Sequence, residues 1–175
     1  MNTAQEKLHY AIGEATIGTA IVAVSEAGVA AILIADDADR ALRDLRVAFP
    51  DAALVADEMA AGEALSAAIT MLDRPNGTFP LPLDLRGNAQ ELAVWQALQA
   101  IPAGETRSYG ALAKAIDLPI TAQEVGAACA ANRIAVTIPC HRVVKADGGI
   151  SGYRWGVHRK RKLINMEGVN MDGLA

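Results

Sequence analysis

Ile138-Pro139-Cys140-His141-Arg142-Val143-Val144 decides how the rest of the chain reads, because it sets one of only two cysteines beside one of only three histidines inside an apolar run. Cysteine attacks as its thiolate, and an imidazole that takes the proton, with cations nearby, makes that thiolate available near neutral pH. Cys140 is therefore the candidate nucleophile and His141 its candidate base. The competing reading is a small core thiol beside a satisfied polar neighbour, since adjacent residues need not face each other and free cysteine is commonly buried. The flanking sequence has to choose between them.

The 175 residues suffice for one or two small cores, and a hydrophobic content of 52 % suits a folded globular protein. No apolar run reaches the ~18 residues of a membrane span, and the N-terminus lacks a basic region followed by an apolar core, so a cytoplasmic location and no membrane partner are expected. Two cysteines and the scattered His9, His141 and His158 cannot build a four-ligand cysteine/histidine zinc site. Neither metal nor cofactor is expected, and no disulfide framework is implied.

The net charge of −4 is unevenly spread. Residues 1–85 carry five Lys/Arg against thirteen Asp/Glu, a net of −8, whereas residues 86–175 carry eleven against seven, a net of +4. A basic half joined to an acidic one suits phosphate binding on one side only. The cluster Arg159-Lys160-Arg161-Lys162 taken alone reads as a solvated helix face.

The charge boundary coincides with a change in patterning, which predicts two domains, 1–85 and 86–175, in an α+β chain. In the first, Leu8–Ile12, Ala20–Val24 and Val29–Ile34 read as adjacent antiparallel strands punctuated by glycine. Ala38, Leu42, Leu45 and Phe49 then recur at helical spacing before Pro50, and a second helix is predicted from Asp57 to Leu72. Phe79–Leu85 alternates apolar and other residues ahead of the boundary at Gly87. The second domain is mostly helical. Val94, Ala97, Leu98 and Ile101 form one stripe. Ser108 caps a helix whose Leu112, Ala115 and Ile116 face inward. Thr121 and Glu124 have capping-box spacing and open a helix with Val125, Ala128 and Cys129 on its core face. The two short helices around Asp117-Leu118-Pro119-Ile120 make a helix-turn-helix. The outer face of the second presents Gln123, Gly126, Ala127 and Ala130, small enough for most of its length to approach a narrow surface closely.

Pro139-Cys140-His141-Arg142-Val143-Val144 resembles the acceptor-cysteine signature of the O6-alkylguanine-DNA alkyltransferases, the self-methylating DNA repair proteins. The resemblance runs upstream through Trp95-Gln96-Ala97-Leu98, Ile101-Pro102, Gly104-Glu105-Thr106 and Ser108-Tyr109, and downstream through Ser151-Gly152-Tyr153-Arg154-Trp155-Gly156. It covers residues 81–168 and is strongest to the C-terminal domain of the bacterial adaptive-response protein. It implies a small ribonuclease H-like sheet-plus-helix first domain without catalytic work of its own. The second domain would bind double-stranded DNA as a monomer, from the minor groove, through its helix-turn-helix. The damaged nucleotide would leave the stack, because its alkylated atom cannot be reached inside a duplex.

The same resemblance implies the roles of individual residues. Cys140 accepts the alkyl group, His141 takes its proton through a water, and Glu167 orients the imidazole. Tyr109 protonates the leaving guanine and crowds the target phosphate. Lys160, with backbone amides around Tyr153 and Arg154, serves the O6 side. Asn132 is the hinge between the recognition helix and the cysteine strand. Cys129 is core. Gln123 departs from the family, which usually has an arginine there to fill the space left by the flipped base. Arg154 and Trp155 are bulky where some members have small residues, and with Ala135 on the facing wall they imply a pocket for small alkyl groups. Two other function classes remain open. A lesion-flagging binding protein would lack the acceptor cysteine, and a Cys-His hydrolase would turn over repeatedly, though no oxyanion-hole motif stands out.

Overall fold

Lys7–Ala15 (β1), Gly18–Val24 (β2) and Val29–Ala35 (β3) form an antiparallel meander in the computed structural model, which describes residues 5–168. β1 and β2 close on a two-residue turn, with Ala15 paired to Gly18. The three predicted strands are present, β1 longer than expected at both ends, β2 at its start and β3 by Ala35 alone. A fourth, Ala53–Ala56 (β4), was not anticipated and pairs parallel to β1, giving the order β3-β2-β1-β4. Four residues are too few for a period-2 pattern to register.

Two helices cover this mixed sheet. Ala38–Ala48 (α1) starts at Asp37, whose carboxylate accepts from Arg40 N at 2.8 Å, and it packs on β2 and β3. Its buried face is Ala41, Leu45 and the C-cap Phe49, rotated from the predicted stripe because Ala38 is exposed. Glu58–Asp73 (α2) begins after Asp57, which accepts from Ala60 N at 3.0 Å, and packs on β1 and β2. β3 is buried along its whole length although it is last in the sheet order. Phe79–Leu85 covers that edge: Val29 N donates to Pro82 O at 2.9 Å, and Asp84 N to Val29 O at 2.8 Å. The segment makes a single bridge, Val29 with Leu83, because Pro80 and Pro82 have no N–H to continue a ladder. Gly28 at φ +148 lets the chain pass there, since a Cβ would lie 2.5 Å from Pro82 O.

The chain divides into two compact units. One runs to Asp73 and takes in Phe79–Leu85; the other takes Arg74–Thr78 and the described residues from Arg86 onward. In the second unit Ala89–Gln99 (α3) opens with a full capping box between Asn88 and Glu91. It buries Val94, Trp95 and Leu98, and the Trp95 indole donates to Ala128 O at 2.9 Å. Tyr109–Ala115 (α4) is capped by Ser108 and Ala122–Ala130 (α5) by the Thr121–Glu124 box, and the two pack on each other and on α3. Leu112 and Ala113 are the buried residues of α4. The inward position expected of Ala115 is exposed, because a seven-residue helix is too short for spacing alone to fix its rotation. A two-stranded parallel ladder, Arg107–Ser108 (β5) with Val143–Val144 (β6), lays the start of α4 beside the segment that follows Cys140-His141-Arg142. Val157–Met166 (α6) completes the unit. Four of the six strands form one mixed sheet and six α-helices accompany them, so the described residues are an α+β protein. Among them, no helix is long and apolar enough to cross a membrane.

Candidate active site

The segment from Asn132 to Cys140 is a strained turn held by one side chain. Asn132 is 1 % exposed; its Oδ1 accepts from Ile134 N at 2.9 Å, and its Nδ2 donates to Ile138 O at 3.0 Å and to Cys140 Sγ at 3.4 Å. Within the turn Val136 sits at φ 67, a left-handed conformation that costs a β-branched residue on the order of 1–3 kcal/mol and persists only where the surroundings impose it. Pro139, at φ −83 and ψ 61, makes the inverse γ-turn in which Cys140 N donates to Ile138 O at 2.8 Å. Cys140 therefore enters a 3-10 turn, Cys140–Arg142, rather than the strand expected for it.

His141 and Glu167 meet in the interior. The imidazole is 0 % exposed and its Nε2 bonds Glu167 Oε1, while Glu167 caps the end of α6. Arg142 grips the same carboxylate, Nε to Oε2 at 2.9 Å and Nη2 to Oε1 at 3.0 Å, and donates to the carbonyls of Ile101 at 2.7 Å and Pro75 at 3.2 Å. Burial pushes the Glu167 carboxyl up, but the hydrogen bonds and charges of His141 and Arg142 together hold it below the usual range. It is an anion that only accepts, so Nε2 carries the imidazole proton and Nδ1 is the lone-pair nitrogen. Burial also keeps His141 below its ordinary pKa despite Glu167, so the ring is neutral at pH 7. Its Nδ1 is buried without a hydrogen-bond partner, an acceptor awaiting a proton.

Cys140 is 4 % exposed, and burial raises the pKa of its thiol; the Asn132 hydrogen bond and then the Lys160 and Arg154 charges oppose the rise. A resting thiol whose proton must leave during reaction is the consequence. Cys140 lies in the wall of a cleft of about 330 Å³, formed with Tyr109 from α4, Gly126, Cys129 and Ala130 from α5, and Gly152, Tyr153 and Arg154 from the loop before α6. That is the small end of ligand pockets, which span roughly 300–1,000 Å³. Cys129 keeps its predicted place on the core face yet also borders this cleft; burial pushes its thiol up to about 12.

Lys160 is 0 % exposed and donates to Ser151 Oγ at 2.8 Å and Gly152 O at 3.3 Å. Burial lowers its pKa to about 8, against the attraction of the two thiols. Ser151 Oγ also bonds the Tyr109 hydroxyl at 2.5 Å, and the Lys160 ammonium stands 5.9 Å from the Tyr109 ring centre. Arg159 too is buried and donates to Trp155 O at 3.0 Å, so half of the basic cluster read as a solvated face points inward.

Cys140, His141, Glu167, Tyr109, Lys160 and Asn132 thus belong to one connected region. Gln123, Ala127 and Ala130 are exposed on α5, with Gly126 between them half-buried. Two pocket positions differ from expectation. Ala135 is buried inside the turn and Trp155 stands edge-on to Tyr153, 5.3 Å between ring centres, so neither borders the cleft; Tyr153 and Arg154 do. Arg154 is further held by its bond to Asn132 O at 2.6 Å. Two residues were missed. Arg142 signals itself only as a charge inside an apolar run, and Ser151 offers no signal, since its role arises from tertiary contact. Among the described residues no group of three His, Cys, Asp or Glu could hold a metal ion.

Residues 89–169 match the family described as 6-O-methylguanine DNA methyltransferase, DNA binding domain. Over 163 residues the chain is 44 % identical to the bifunctional transcriptional activator/DNA repair enzyme Ada of Escherichia coli, covering 93 % of this chain but 46 % of that protein. It is 39 % identical over 123 residues to the inducible methylated-DNA–protein-cysteine methyltransferase of Bacillus subtilis, covering 70 % of this chain and 68 % of that one. The crystal structure of Mycobacterium tuberculosis OGT in complex with DNA superposes with a TM-score of 0.74 at 34 % identity, covering 91 % of this chain and 92 % of that chain. The chain spans about half the length of the first curated relatives it matches.

Proposed function

The chain belongs to the methylated-DNA–protein-cysteine methyltransferase family, and from that membership we propose that it repairs DNA by moving a methyl or other small alkyl group from O6-alkylguanine, and from O4-alkylthymine, onto Cys140. The observation that carries the reading is the position of Cys140: it lines a cleft of about 330 Å³ and directly precedes His141, which bonds Glu167 and through it Arg142. The thiol proton passes to His141 Nδ1 through a water, the sulfur attacks the alkyl carbon, and the carbon–O6 bond breaks. Guanine leaves with a proton on its ring nitrogen, given by Tyr109, while Lys160 and amides near Tyr153 and Arg154 steady O6. Charge spreading onto a neutralised leaving group is where such a site lowers the barrier. The thioether is stable, so each molecule acts once.

The first unit supplies a ribonuclease H-like domain without chemistry. In the second, α4 and α5 form a helix-turn-helix that meets duplex DNA in the minor groove as a monomer in the cytoplasm, and the target nucleotide swings out past Tyr109 into the cleft. One packing fact supports that face. Gly126 costs a helix interior about 1 kcal/mol against alanine. A Cβ there would meet only ordinary contact, 3.8 Å from the Tyr109 ring, so the fold does not require the glycine. A DNA groove pressed close against α5 would have a use for it.

Cys140→Ser tests the proposal: transfer from O6-methylguanine duplex is expected to vanish while DNA affinity is retained. Loss of DNA binding with the thiol, or transfer without it, would contradict the assignment.

A further inference from the structure

Ser151 stands between two groups that the alkyl-transfer chemistry uses separately. A lysine ammonium can only donate, so Ser151 Oγ accepts from Lys160 Nζ at 2.8 Å. The serine hydroxyl proton is then available to the Tyr109 oxygen, 2.5 Å away, within the range of strong O–H···O bonds, and the relay takes that direction. With its oxygen accepting from Ser151, the Tyr109 hydroxyl is left to aim its proton into the cleft that Tyr109 lines.

On the alkyl-transfer reading above, we propose that Ser151 is the positioning link of a proton relay running from Lys160 through Ser151 to Tyr109 and ending on the departing guanine. As the carbon–O6 bond breaks and the electron pair moves into the purine, the Tyr109 proton passes to the ring nitrogen. The Ser151 proton replaces it, and one Lys160 N–H proton replaces that. Tyr109 and Ser151 end unchanged, guanine leaves neutral, and Lys160 ends as an amine. Burial favours that outcome, because an uncharged amine is the cheaper occupant of a site with 0 % exposure. The Lys160 pKa of about 8 matches a group able to give up its proton near neutrality. The titratable groups facing Lys160 are Cys129 of α5, Cys140 and His141 of the 3-10 turn, and Tyr109 of α4.

The test is single-turnover methyl transfer from O6-methylguanine duplex across pH, with the wild type, Ser151→Ala, Ser151→Gly and Ser151→Thr. Alkylation of Cys140 by iodoacetamide is run beside it, since iodide leaves without a proton. Removing the hydroxyl is expected to slow DNA methyl transfer about a hundredfold, the lower end of what a positioned proton donor contributes, and threonine to restore it. The wild-type rate should fall as pH rises through about 8, and the alanine and glycine variants should lose that limb. Iodoacetamide rates and DNA affinity should stay as in the wild type. Wild-type rates and pH profile in both hydroxyl-free variants would overturn the relay. So would an equal slowing toward iodoacetamide, which would place the role of Ser151 in the thiol or the fold. A wild type that never methylates Cys140 would instead defeat the alkyl-transfer reading itself.

Discussion

Arg142 holds both carboxylate oxygens of Glu167, Nε on Oε2 at 2.9 Å and Nη2 on Oε1 at 3.0 Å, with the Glu167 side chain 1 % exposed. The carboxylate that fixes the His141 tautomer is therefore itself fixed. Removing one partner of such a buried pair strands the other charge, at a cost of about 3–5 kcal/mol. Arg142→Ala also unpairs the carbonyls of Ile101 and Pro75. Urea unfolding should show a loss of at least that order; a variant as stable as the wild type would mean the pair contributes nothing net.

Lys160 gives a prediction with a definite sign. Its folded pKa of about 8 lies below the ordinary 10.5, so between these values the unfolded chain holds a proton that the folded chain lacks. Stability from this site therefore rises with pH across that window and carries its full penalty below pH 8. Lys160→Met has no such titration. The stability of the wild type relative to Lys160→Met should increase by about 3 kcal/mol between pH 8 and pH 10.5. A difference that stays flat would show the ammonium to be solvated. Methyl transfer by Lys160→Met should be impaired below pH 8, where the wild type keeps its ammonium, and the deficit should narrow above it.

The sequence made some of this plain and hid the rest for physical reasons. β1 to β3 are dense apolar runs cut by Gly18 and Gly28, and the caps at Ser108 and Thr121 are short-range signals, so these features were legible. β4 and the rotation of α4 were not, being too short for periodicity. Cys140 and His141 stood out as a nucleophile and base by residue type and were selected by motif resemblance, which alone supplied Glu167 and Lys160. The burial of Arg159 and Lys160 ran against their charge; the carbonyls of Trp155 and Gly152 and the hydroxyl of Ser151 receive their protons there. Trp155 reads as a pocket wall by bulk alone, yet its contact with Tyr153 turns it inward.

Gln123 lies exposed on α5, outside the capping box that engages Glu124. Arginine there is longer, permanently charged and rich in donors. Gln123→Arg is expected to tighten duplex binding, speed methyl transfer, and steepen the salt dependence of binding by up to about one unit. Reaction with a free small-molecule substrate should not change. Equal single-turnover rates on duplex DNA would show that Gln123 already fills the space of the displaced base, or that another residue does.

Two thiols border one cleft, and the account gives the reaction to one of them. Cys129 has its thiol pushed up to about 12, whereas Cys140 has the Asn132 hydrogen bond and the Lys160 and Arg154 charges opposing the effect of burial, and is followed in the chain by His141. Intact-mass and peptide mapping after incubation with excess O6-methylguanine duplex decides the matter. The account predicts a single added methyl per chain, all of it on Cys140, with no further demethylation once that equivalent is consumed. Methyl on Cys129, or repair continuing past one equivalent, would contradict it.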